Sequence, residues 1–82
     1  MPRVATEDFE DEEVARVYLA ARFAEAQLVE AELNKHDVDY AVEVEAYLPC
    51  AVFYVPAAQA DFCRGILLAA GLRAGLLEKD FQ

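Results

Sequence analysis

This chain has no serine and no tryptophan, and its one threonine is Thr6. Without serine a serine-based catalytic triad is excluded, and hydroxyl phosphorylation has almost no acceptor. Histidine occurs once, at His36, with no second imidazole and no cysteine at local metal-ligand spacing. That makes it a poor candidate for zinc binding or general-base work, and a solvated turn residue is the better reading. The two cysteines, Cys50 and Cys63, lack a CxxC spacing and read as small apolar fillers in a reducing compartment. Long apolar runs are missing as well: residues 65–72 fall far short of the ~20 residues that span a bilayer. Nor does the start offer a basic region leading into an apolar core, so a cytoplasmic protein is expected. Positive charge is scarce, with seven Lys and Arg against sixteen Asp and Glu for a net charge of −9. Affinity for a phosphate backbone or an anionic membrane comes from Lys and Arg, so neither nucleic acid nor membrane is an expected partner.

What is present is a folded chain of 82 residues, 57% of them hydrophobic, although sixteen alanines supply much of that fraction and each buries little area. A chain of this size buries only about 60–65% of its unfolded surface, so stability is modest unless oligomerisation adds to it. Six acids occupy seven positions over residues 7–13, interrupted only by Phe9. Like charges at this density repel and keep a segment extended, so residues 1–13 read as an acidic flexible tail: an interaction arm, a weak cation sponge or a solubilising terminus. Residues 14–77 read as a single domain, and residues 78–82 as a short C-terminal tail.

The hydrophobic period within the domain changes in a definite order. Residues 14–19 alternate as a strand, with Ala15, Val17 and Leu19 on one side and Val14, Arg16 and Tyr18 on the other. Residues 20–34 contain no Gly or Pro and predict an amphipathic helix with Ala24, Leu28 and Ala31 on its apolar face and Val29 and Leu33 at the margin. Asn34 is the residue expected to take a left-handed backbone where the helix stops. Residues 40–47 alternate again, placing Tyr40, Val42 and Val44 opposite Ala41, Glu43, Glu45 and Tyr47. A short connection through Pro49 returns the chain as an antiparallel strand over residues 51–55. Pro56 then opens a second helix that runs to Ala70 and ends at Gly71. Residues 72–77 are available as a short edge strand.

A strand, a helix, a hairpin of two strands and a second helix specify an α+β fold: a ferredoxin-like two-layer sandwich, βαββα, with both helices on one face of an antiparallel sheet. The other face is expected to carry Tyr18, Val52 and Tyr54 beside Arg16 and the Glu43/Glu45 pair. Three apolar side chains among charges exceed what a monomer normally exposes in one patch, which points to a surface for self-association or for a protein partner.

The strand Val17-Tyr18-Leu19, the helix segments Glu25-Ala26-Gln27-Leu28-Val29 and Ala31-Glu32-Leu33, the strand at Tyr40-Ala41-Val42 and the step from Val55-Pro56 into Ala57-Ala58-Gln59-Ala60-Asp61 resemble the family of small prokaryotic signal-transducing proteins. The resemblance spans residues 14–72. Here His36-Asp37-Val38-Asp39 replaces the family's glycine-containing turn, and the connection between the second and third strands is short. The resemblance implies a PII-like ferredoxin fold and a role in signal transduction. The nucleotide-binding loops and basic residues of PII proteins have no counterpart in this chain.

Three functional classes follow. The first is a small non-enzymatic regulatory or interaction module acting as a homodimer or other homo-oligomer, without a cofactor. The second is a sensor of a small ligand or divalent cation, using Glu43 and Glu45 with acids from a neighbouring strand or subunit. The third is an enzyme, for which Tyr18, Tyr54, His36 and Cys50 are the candidate groups; none has a partner at local spacing, so the chain is read as non-enzymatic.

Overall fold

In a computed structural model of the protein, the structure describes residues 13–44 and 50–77. The elements are β1 (Val14–Ala20), α1 (Phe23–Lys35), β2 (Ala41–Val44), β3 (Ala51–Pro56) and α2 (Ala60–Ala69), the last entered through a 3-10 turn at Ala57–Gln59. The three strands form one antiparallel sheet in the order β1-β3-β2. β1 and β2 therefore flank the hairpin strand β3, with α1 as the crossover between them.

Both helices stop by the same device. At the end of α1, Val38 N donates to Leu33 O at 3.0 Å and Asp37 N donates to Asn34 O at 3.0 Å, with Asp37 in the left-handed region at φ 59°. At the end of α2, Leu72 N donates to Leu67 O and Gly71 N to Leu68 O, each at 2.9 Å, with Gly71 at φ 85°. This paired pattern satisfies the last carbonyls of a helix and drops the following apolar residue onto the core; Val38 and Leu72 are both buried. The expectation for Gly71 stands. That for Asn34 is corrected: Asn34 stays helical and Asp37, whose short polar side chain tolerates the left-handed region, makes the turn.

The sheet departs from simple alternation at one point. Arg16 pairs with Tyr54 and Tyr18 with Phe53, so Val17 is an extra residue on β1. Such a bulge shifts the side-chain alternation of everything beyond it. Before it, Ala15 faces inward with Val55; after it, Tyr18 faces inward with Phe53, and Leu19 turns outward with Val52. The assignment of Tyr18 to the open face and Leu19 to the core is therefore reversed.

The core is continuous, joining Tyr18, Phe53 and Val55 of the sheet to Val29 and Leu33 of α1, Cys63 and Leu67 of α2, and Tyr40. The buried face of α1 also differs from expectation. Val29 and Leu33 are buried and Ala26 packs against the core, whereas Leu28 is 57% exposed and Ala24 and Ala31 face solvent. Alanines bury little, so the stripe holding the branched side chains prevails. In α2, Ala60, Cys63 and Leu67 turn inward while Phe62 remains exposed.

After α2 the chain returns along the outer edge of β1. Leu19 N donates to Gly75 O and Leu77 N to Val17 O, both at 2.9 Å, and Tyr18 and Leu76 form an isolated antiparallel bridge. Arg64 holds this segment from α2: its Nε donates to Leu77 O at 2.6 Å and one terminal nitrogen donates to Arg16 O at 3.3 Å.

Candidate functional site

The register places the residues expected on the open face. Arg16, Tyr54 and Ala41 form one cross-strand row, and Leu19, Val52 and Glu43 form the next. Arg16 and Glu43 are exposed and Tyr54 is half-buried, but Val52 is only 5% exposed and Ala41 is fully buried. Glu45 lies outside the described residues. With Tyr18 in the core and Val52 covered, this face presents less apolar surface than alternation alone implies.

Tyr18 and Tyr40 each turn a hydroxyl toward α1. Tyr18 Oη donates to Glu25, and Tyr40 Oη donates to Glu30 Oε2 at 3.0 Å. Glu25 also accepts from Ala21 N at 3.3 Å, at the helix start, where Arg22 offers no side-chain cap. Burial, and secondarily the bond to Glu25, raise the Tyr18 phenol above its usual pKa of 10.0. These pairs let a bulky aromatic bury its ring while its polar end is satisfied.

Burial pushes the Cys63 thiol up to about 11, against a smaller lowering by Arg64. A thiol of this kind is a packing residue rather than a nucleophile. Cys50 is buried too, and neither forms a disulfide. His36 follows α1, 4.0 Å from Glu32 Oε1, with its ring edge-on to Phe62 at 6.1 Å between centroids. It borders an open cavity of about 250 Å³ between the ends of the two helices, lined also by Lys35 and Ile66. Among the described residues no nucleophile and base converge there. Among the described residues no group of three or more His, Cys, Asp or Glu could hold a metal ion.

The feature that sequence reasoning missed lies at the other end of the sheet. The last cross-strand row is Ala20, Ala51 and Val44. Here the helix layer covers the sheet incompletely, leaving an apolar groove of about 160 Å³ between this row, Cys50, Ala26 and the first turn of α1. Two large side chains flank it: Phe23, 78% exposed, and Val44, 74% exposed. Among the described residues that line it, Arg22 carries the charge. A signal existed, since Phe23 falls off the apolar stripe of α1, but nothing local reveals that Val44 shares its surface.

No family model matches the chain, and no curated protein matches it. Among solved structures, the type III secretion system protein EscJ of enteropathogenic E. coli is similar in fold, with a TM-score of 0.67 and 23% sequence identity. The match covers 85% of this chain and 42% of EscJ, so the chain spans less than half the length of that protein.

Proposed function

We propose that this chain is a small non-enzymatic interaction module, regulatory in keeping with its resemblance to prokaryotic signal-transducing proteins, and that it self-associates. Its architecture is read here as a ferredoxin-like βαββα sandwich, with residues 72–77 as a short fourth strand on the edge of β1. The carrying observation is the groove flanked by Phe23 and Val44. Large apolar side chains that share one surface leave water favourably when another surface covers them, at about 25 cal/mol per Å². In this reading the binding surface lies at the end of the sheet rather than on its open face.

Sedimentation velocity on the purified chain, with and without a millimolar divalent cation, tests this reading. A concentration-dependent oligomer indifferent to the cation is expected. A monomer at high micromolar concentration would refute self-association, and an oligomer formed only with metal would favour a cation sensor.

A further inference from the structure

We propose that the groove receives the N-terminal acidic segment Asp8-Phe9-Glu10 of a second copy of this chain, an inference that rests on the self-association proposed above. The groove's size suits an aromatic ring: at about 160 Å³ it matches the ~150 Å³ apolar cavity that accepts benzene. Its charge suits an acidic flank. Arg22 lines the groove and makes no ion pair among the described residues, in a chain whose net charge is −9. Phe9 is an aromatic with an acid on either side. It therefore offers a ring for the groove and carboxylates for the guanidinium.

Covalent geometry decides that the donor is another copy. The N-terminal segment joins β1 at Glu13, beside the row formed by Val14 and Pro56, whereas the groove adjoins the row of Ala20, Ala51 and Val44 at the opposite end. The seven residues of β1 span about 23 Å at ~3.3 Å per residue. Phe9 lies four residues before Glu13 and reaches about 14 Å at most. Its own groove is beyond that reach. Phe81, the other aromatic next to an acid near a terminus, has an acid on one side only, Asp80, and a cation at Lys79, so its flank complements Arg22 less well. A single tail-into-groove contact is heterologous: it leaves a groove unused at one end of a pair and a tail unused at the other, and so continues beyond two copies.

The test uses the full chain and three single variants in sedimentation velocity, with circular dichroism to check folding. Phe9→Ala and Phe23→Ala alter an acidic-tail residue and an exposed residue, and each should weaken self-association by about tenfold or more, as expected for an aromatic anchor. Phe81→Ala should associate like wild type. An equimolar mixture of the Phe9→Ala and Phe23→Ala chains should form a 1:1 complex and nothing larger, because it contains one intact tail and one intact groove. If Phe9→Ala associates as tightly as wild type, or the mixture yields no complex, the tail–groove contact is overturned while self-association stands. Loss on Phe81→Ala instead of Phe9→Ala also overturns it, and a monomeric wild type overturns both proposals.

Discussion

At the scale of single residues, Tyr18 carries the most consequence. It is fully buried, paired with Phe53 across the sheet, and bonded through its hydroxyl to Glu25. Replacing it by Phe keeps the ring and removes the bond, so Tyr18→Phe should cost about 1 kcal/mol, or roughly 5 °C in Tm for a domain of this size. The pH dependence has a definite sign. The phenol's pKa is raised in the folded state above 10.0, so its contribution is complete below that value and is lost as pH rises through the folded pKa. Urea melts of both proteins from pH 8 upward should show the gap narrowing above pH ~10; a constant gap would mean the hydroxyl contributes by packing alone. Composition marks Tyr18 as a strand residue but cannot reveal its partner, because Glu25 is seven positions away across an element boundary.

At the scale of elements, existence and order were legible, while facing was not. Alternation and proline placement anticipate all three strands, and the lack of glycine and proline anticipates α1. The bulge at Val17 has no local signature, since Val14 to Leu19 alternates acceptably in either sense; pairing with β3 selects the bulged register, which buries Tyr18 against Phe53. The rotation of α1 is similar, since an alanine-rich helix states its inner face weakly. The segment after α2 yields a sharper prediction. A Cβ on Gly75 would collide with the carbonyl oxygen of Leu19 and stand 2.9 Å from the Tyr18 ring. Gly75→Ala should therefore detach this segment, cost roughly 1–3 kcal/mol as overpacking does, and speed exchange of the Leu19 and Leu77 amides. Arg64→Met removes the bonds to Leu77 and Arg16 and should expose the same amides at about 1 kcal/mol. Unchanged amide exchange in both variants would show that the segment is held by other contacts.

At the scale of the whole molecule, charge governs what the chain avoids and shape governs what it can meet. A net charge of −9 repels phosphate, so a short DNA duplex should show no mobility shift at physiological salt; a shift that weakens steeply with salt would contradict this. The sequence by itself determined the α+β class and the order of the described elements, because these depend on side-chain period and composition along the chain. Only the tertiary structure decided which face Tyr18 occupies, which stripe of α1 is buried, and that Phe23 and Val44 flank one groove. Each of those outcomes depends on residues distant in sequence and close in space, whose mutual burial is settled only when the sheet and helices pack together.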